Sequence, residues 1–153
     1  MANALLDTNI YGKIIEDSDS ITLIERILRD DKFVIHNFKI IRDELRRAPN
    51  ILRVYDKLVK TKMNPDTREI GNLASEYFKE YKAKGGVKKI NKIKNDFKIV
   101  AYASLKNCDL VFSDDEKTLK HNIALQAYRI VNLKRRIRTP TFYTYKDLKR
   151  SYF

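Results

Sequence analysis

Twice in this chain a short apolar run stops abruptly at a polar cluster that carries aspartate. Ala4-Leu5-Leu6 breaks at Asp7-Thr8-Asn9, and Asp109-Leu110-Val111-Phe112 breaks at Ser113-Asp114-Asp115-Glu116. A run this short and this continuously apolar reads as a strand covered on both faces, which is the pattern of a parallel sheet. Lys32 to His36 reads as a further strand, and Tyr128 to Val131 as a fourth.

Helical spacing fills the intervals. Ile10 to Glu16 forms a first short helix. Ser18-Asp19-Ser20 caps a second, with Ile21, Leu23, Ile24, Ile27 and Leu28 as its apolar stripe. Asn37 caps the helix that carries Ile40, Ile41 and Leu45, with Glu44 beside that face, and another helix runs from Ile51 to Lys60. A long helix begins after Asn64-Pro65-Asp66, contains Ile70, Leu73, Tyr77 and Tyr81, and stops at Lys84-Gly85-Gly86. The basic stretch Val87 to Asn95 reads as irregular, and Asp96 opens an apolar helix through Ile99, Val100 and Ala103. A short helix from Thr118 to Leu125 and a terminal one near Lys146 to Arg150 complete the outline. Strands alternating with helices imply an α/β fold, a central parallel sheet of four to five strands flanked by helices in three layers. No repeat or linker interrupts the chain, so residues 1–153 read as a single domain.

Charge narrows the class of partner. Lys and Arg number 32 against 20 acids, a formal net charge of +12 and a pI near 9.7. Such a surface concentrates polyanions, and phosphate backbones come before solubility alone as the explanation. A membrane is the weaker option, because no apolar run nears the ~20 residues of a span and no basic, aromatic-faced helix stands out. MANALLDTNI is too briefly apolar, and acidic too early, for a secretory signal. A lone Cys108 excludes an internal disulfide and a cysteine zinc cluster, and it reads as a small core residue. The expected compartment is the cytoplasm. His36 and His121 are isolated, without ligand spacing, and read as structural or surface groups.

The acids sit where the outline makes them informative. Asp7, and then Asp114 and Asp115, follow strands directly, while Glu44 and Asp96 belong to helices able to flank the same sheet edge. In parallel α/β sheets that edge, outside the carboxyl ends of the strands, is where ligands bind. Clustered carboxylates repel one another unless a divalent cation neutralises them, and Mg²⁺ takes hard oxygen ligands. Singly, each acid has an ordinary explanation: Asp7 and Asp96 as helix caps, Glu44 as a surface ion-pair partner, Asp114 to Glu116 as a helix start. Jointly they outline a metal site.

These motifs make the sequence resemble the PIN-domain family, and within it the small VapC-type toxins of toxin–antitoxin pairs. Leu5-Leu6-Asp7-Thr8-Asn9-Ile10 is similar to the family's opening signature. Ile41-Arg42-Asp43-Glu44-Leu45, Asp96-Phe97-Lys98-Ile99-Val100-Ala101 and Phe112-Ser113-Asp114-Asp115 resemble its later motifs in order. The resemblance spans nearly the whole chain. It implies a PIN-like fold and a Mg²⁺- or Mn²⁺-dependent ribonuclease. Asp7, Glu44, Asp96 and Asp115 would be catalytic, with Asp114 beside them as a further candidate ligand and Thr8, Asn9 and Ser113 as braces. It further implies RNA as substrate, an antitoxin as partner and a homodimer.

Some residues depart from the family pattern. Phe97 and Lys98 stand where the family usually has small or apolar residues; Lys98 would reach solvent or the scissile phosphate. Lys88, Lys89, Lys92 and Lys94, together with Lys98, form a basic stretch able to guide RNA, or a merely solvated loop. Arg135 and Arg136 belong to a second basic cluster, followed by Phe142, Tyr143 and Tyr145. Those rings could stack on bases, though packing onto the body or onto a second subunit fits them better. The competing function is a catalytically silent PIN-like RNA-binding or scaffold subunit of an RNA-processing assembly. A phosphatase is a third, set back by the lack of a glycine-rich phosphate loop or an Asp-x-Asp pair at the first strand.

Overall fold

Four short strands pair side by side, all parallel, in the order β2-β1-β3-β4. A computed structural model describes residues 1–153. The elements along the chain are β1 (Ala2–Leu6), α1 (Thr8–Glu16), α2 (Ser20–Arg29), β2 (Phe33–Ile35), α3 (Lys39–Leu45), α4 (Pro49–Leu58), α5 (Arg68–Ala83) and α6 (Ile90–Leu105). β3 (Leu110–Phe112), α7 (Asn122–Arg135), β4 (Thr141–Tyr143) and α8 (Tyr145–Arg150) complete them. In register, Leu6 of β1 lies opposite Phe112 of β3, and Phe112 opposite Tyr143 of β4. The carboxyl ends of β1 and β3 therefore finish level, and the residues after them meet.

Both faces of β1 are covered, since Ala4, Leu5 and Leu6 are all fully buried although their side chains alternate between faces. On one side α5, α6 and α7 pack on one another, with α6 against β1 and β3; α1, α2, α3 and α4 form a second packed set. The architecture is α/β, with a parallel four-stranded sheet flanked by helices.

Several boundaries differ from the sequence reading. Tyr128 to Val131 is not a strand but part of α7. Ala124, Ala127, Tyr128 and Val131 fall at helical spacing and are all buried, which outweighs the local β-preference of Tyr, Ile and Val. The fourth strand comes instead from Thr141-Phe142-Tyr143, whose Phe142 ring stacks on Tyr128 at 5.8 Å between centroids. The expected helix from Thr118 to Leu125 starts only at Asn122. His121 is its cap, with Nδ1 accepting from the Ile123 amide, and Thr118 lies in the preceding turn. The caps shift too. Asn37 does not cap α3; its side-chain Oδ1 accepts from the Tyr55 hydroxyl at 2.8 Å, and Phe38 takes the cap position without a side-chain bond. The α2 stripe divides, with Leu23 and Ile27 buried while Ile21 and Leu28 are exposed.

The largest change concerns α6. The stretch expected to be irregular is helical from Ile90, because Ile93, Phe97 and Val100 continue one buried face toward the amino end. Asp96 consequently lies in the second turn of the helix, not at its cap. The turn joining α5 to α6 depends on glycine. Gly85 has φ +98°, and a Cβ on Gly86 would fall 2.3 Å from the Tyr81 ring.

Candidate metal centre

Asp7 leaves β1 and becomes the cap of α1. Its Oδ1 accepts from the Thr8 amide at 2.8 Å, and its Oδ2 accepts from Ser113 Oγ at 2.7 Å and from Asn9 Nδ2 at 3.2 Å. Asp7 is buried, and Ser113, one residue past the end of β3, is fully buried. Two strand ends are thus tied side chain to side chain. Burial pushes the Asp7 carboxyl up; the Ser113, Thr8 and Asn9 bonds pull it down, the Asp115 charge adds to the rise, and the net is upward.

Asp115 turns back over the same point. Ser113 Oγ accepts its amide at 3.1 Å, and its own Oδ1 accepts the amides of Lys117 and Thr118 at 3.0 and 2.9 Å. Asp96 approaches from α6. Thr118 Oγ1 lies 2.6 Å from Asp96 Oδ2 and also bonds Asp115 Oδ2. Carboxylate oxygens of Asp7, Asp96 and Asp115 all fall within 4.8 Å of one another. Burial, reinforced by the charges of Asp7, Asp115 and Glu44 and only partly offset by Thr118, pushes Asp96 up to about 7.

Glu44 stands at the rim. It is the most exposed of the four acids, and its Oε2 accepts from the Thr8 hydroxyl at 3.1 Å. Loss of hydration around its carboxyl, and then the Asp7 charge, raise its pKa despite the Thr8 bond. Ile40, Asp43, Arg47 and Asn95 line the same opening with it. Asp114 points elsewhere. It pairs with Lys13 and accepts the Tyr145 amide at 2.9 Å, and these contacts hold it below its usual value against the effect of burial. Its amide donates to Asn9 Oδ1 at 3.2 Å, so Asn9 links both strand ends.

Sequence reasoning missed Thr118. Only its bond to Asp115 carries a local signal, since an aspartate three residues before a threonine, in the loop after a strand, is the spacing at which a side chain caps a turn.

The nearby cations do not neutralise the three aspartates. Lys13 is engaged by Asp114, Lys98 by Asp66 at 2.7 Å, and Lys120 by Glu116 and the Ser113 carbonyl, both at 3.0 Å. Three hard carboxylates facing one point without a counter-charge are a donor set that fits Mg²⁺ or Mn²⁺. Lys98, held by Asp66, is turned from the acids.

The basic candidates divide between the two ends of the molecule. Lys88 and Lys89 precede α6, and Lys92 and Lys94 lie in its first turns, all exposed, with Lys92 and Lys94 within about 6 Å of Asp96 along the helix axis. Arg135 and Arg136 close α7 some 20 Å from its start near Thr118. Arg135 pairs with Glu76, and Arg138 bonds Asp109 and the Asn107 carbonyl at the entry to β3, the edge opposite the acids. The second basic cluster is therefore not brought to this site. Of the aromatic tail, Tyr145 is buried with its hydroxyl on Asp17 at 2.6 Å, and Phe142 packs inward, leaving Tyr143 partly exposed.

No protein-family profile matches the chain. No curated protein matches it either. Among solved structures, it is similar to a chain in the crystal structure of VapBC2 from Rickettsia felis bound to a DNA fragment from their promoter. The TM-score is 0.53 at 15% sequence identity, covering 93% of this chain and 98% of that one. At that identity the likeness is one of fold.

Proposed function

We propose that this chain is a metal-dependent endoribonuclease of the PIN-domain kind, acting on RNA phosphodiester bonds as the toxin of a toxin–antitoxin pair. The observation that carries this reading is the convergence of Asp7, Asp96 and Asp115 within 4.8 Å at the carboxyl ends of β1 and β3. The site is acidic while the molecule carries a net charge of +12. A polyanion is drawn to the whole and repelled by the cleft until the cleft is neutralised. That combination suits a phosphodiester substrate admitted together with a cation.

Mg²⁺ or Mn²⁺ bound by Asp7, Asp96 and Asp115, with Glu44 across the opening, would supply charge neutralisation at the phosphate and lower the pKa of a water. The chain's own residues do the positioning. Ser113 and Asn9 hold Asp7 from two sides, and Thr118 holds Asp96 and Asp115 in one orientation. Glu44 meets the cleft through Thr8 and is the acid with the freest access to incoming substrate or water. Lys92 lies one helical turn before Asp96 on the same side of α6, and with the exposed Lys88 and Lys89 ahead of it would attract the RNA backbone. The fold shared with a VapBC2 chain supports a protein antitoxin as partner, and the exposed Ile21 and Leu28 of α2 offer apolar surface to a second copy.

Calorimetric titration of Mn²⁺ into the metal-free protein tests the metal half of this reading. Saturable uptake near neutral pH, abolished in Asp7→Asn/Asp96→Asn, is expected. A wild-type protein that takes up no Mn²⁺ contradicts it.

A further inference from the structure

A polar groove opens between the first turns of α5 and α6, on the side of α6 away from Asp96. Its volume is about 610 Å³, and only two of its eleven lining residues are hydrophobic. Arg68 and Lys94 give it positive charge, while Asn72, Ser75 and Asn91 give it neutral donors and acceptors. None of these five side chains makes a hydrogen bond or ion pair within the protein, in contrast to Lys98 beside them, which Asp66 holds. Gly71 keeps the lining open, with no atom within 4 Å of where a Cβ would lie.

The groove joins the acidic cleft around α6. Residues along an α-helix advance about 1.5 Å and turn about 100° each, so Asn91, Lys94 and Lys98 share one face and Asp96 lies opposite. Asn95 falls between those faces, and it lines the opening that also holds Glu44. A flexible strand crossing α6 at Asn95 therefore reaches both places. A folded partner surface would meet the width of the helix between them.

We infer that this groove is a subsite for single-stranded RNA, holding a nucleotide that flanks the bond cleaved at the acidic cleft. The inference rests on the nuclease reading for what happens at Asp96, but not for the binding it predicts. Arg68 and Lys94 match a backbone phosphate, and the amides of Asn72 and Asn91 match base edges, which present donors and acceptors together. A single anion would leave the amides without a purpose.

The test measures affinity against strand length, using full-length Asp7→Asn protein in EDTA so that nothing is cut. Labelled RNA 3-mers and 10-mers are titrated by fluorescence anisotropy. We expect the 10-mer to bind at least about tenfold tighter, and Asn72→Ala/Lys94→Gln to cut that ratio several-fold with an unchanged melting temperature. Lys134→Gln, an exposed charge near the far end of α7, controls for general charge. An equal fall in the Lys134 variant, or an unaltered ratio in the groove variant, overturns the inference. So does displacement of RNA by poly-glutamate of matched charge at equal concentration, which would make the groove a docking place for an acidic peptide. Wild-type cleavage, assayed separately, keeps the two readings apart. Length-dependent binding through the groove without any cutting counts against the nuclease alone, and cutting without the length effect counts against the groove alone.

Discussion

The hydroxyl of Thr118 lies 2.6 Å from Asp96 Oδ2 while also bonding Asp115 Oδ2. One hydroxyl hydrogen serves two carboxylates, so in the metal-free protein it stabilises one of them at a time. Thr118 is therefore the hinge on which the two later acids are set. Removing the hydroxyl while keeping the shape, in Thr118→Val, is predicted to weaken Mn²⁺ binding by about 10- to 100-fold, the usual effect of losing a group that orients metal ligands. Thr118→Ser retains the hydroxyl and should restore most of the affinity. Equal Mn²⁺ affinity in wild type and Thr118→Val would make this residue a bystander.

Asp96 makes metal-free stability fall as pH rises. Its carboxyl goes from an ordinary value of 3.8 to about 7 in the folded chain. The folded state then holds a proton that the unfolded state has released, and it loses stability progressively between those two values. The full shift corresponds to roughly 4 kcal/mol, which solvent at the open cleft reduces to about 1–2 kcal/mol. Asp96→Asn should thus raise the metal-free melting temperature by about 3–6 °C at pH 8 and leave it nearly unchanged at pH 4. With saturating Mn²⁺ at pH 8 the order should reverse, because only the wild type gains from binding. Calorimetric scans across pH check this, and a stabilisation equal at both pH values would contradict it.

Away from the cleft, Lys60 closes the carboxyl end of α2. Its ammonium donates to the carbonyls of Ile27, Asp30 and Phe33, using all three of its hydrogens. Its own amide donates to the Ile35 carbonyl at 2.8 Å, which fastens the segment after α4 to β2. Lys60→Met keeps the apolar stem but removes three charge-assisted bonds, leaving the Ile27 and Asp30 carbonyls with only the Asp30 and Phe33 amides, each at 3.2 Å. The expected loss is about 2–3 kcal/mol in urea unfolding, with Mn²⁺ affinity unchanged. A loss under about 0.5 kcal/mol would show that water replaces the ammonium fully.

A buried polar knot joins the three helices on the α6 side. The Tyr77 hydroxyl donates to Asn132 Oδ1 at 2.7 Å, and Asn132 Nδ2 donates to Ser104 Oγ and Thr139 Oγ1, each at 3.0 Å. Asn132→Leu would leave the Thr139 and Ser104 hydroxyls without the amide and the Tyr77 hydroxyl with Ser104 Oγ alone, at 3.1 Å, and is expected to cost about 2–4 kcal/mol. Tyr77→Phe/Asn132→Leu should cost less than the sum of the two single changes, because both remove the same Tyr77–Asn132 bond. Strict additivity of the two changes would contradict the coupling.

The parts of this fold legible in the sequence are those where one physical signal acts alone. Leu5-Leu6-Asp7 announces a buried strand and its end, since nothing else explains a short apolar run broken by an acid. Tyr128 to Val131 misleads because local preference and helical periodicity disagree there. Only the packing of Tyr128 against Tyr77, Phe97 and Phe142 decides for the helix. Asp96 reads as a cap in the sequence because a run of lysines hides the helical spacing of Ile90, Ile93 and Phe97. The choice between Asp114 and Asp115 depended on Lys13, which is 101 positions away and reaches Asp114 only through the fold. Thr118 likewise joins Asp96 across 22 residues, a contact that no local pattern contains.

Cleavage of labelled single-stranded and hairpin RNA is the most direct test of the account. Purified wild-type protein is compared with Asp7→Asn/Asp96→Asn in Mn²⁺, in Mg²⁺ and in EDTA. The prediction is endonucleolytic cutting by the wild type that EDTA stops and the double variant lacks, a loss of about 10³-fold or more. Equal cutting by wild type and variant, or cutting that persists in EDTA, would contradict a metal centre built on Asp7, Asp96 and Asp115.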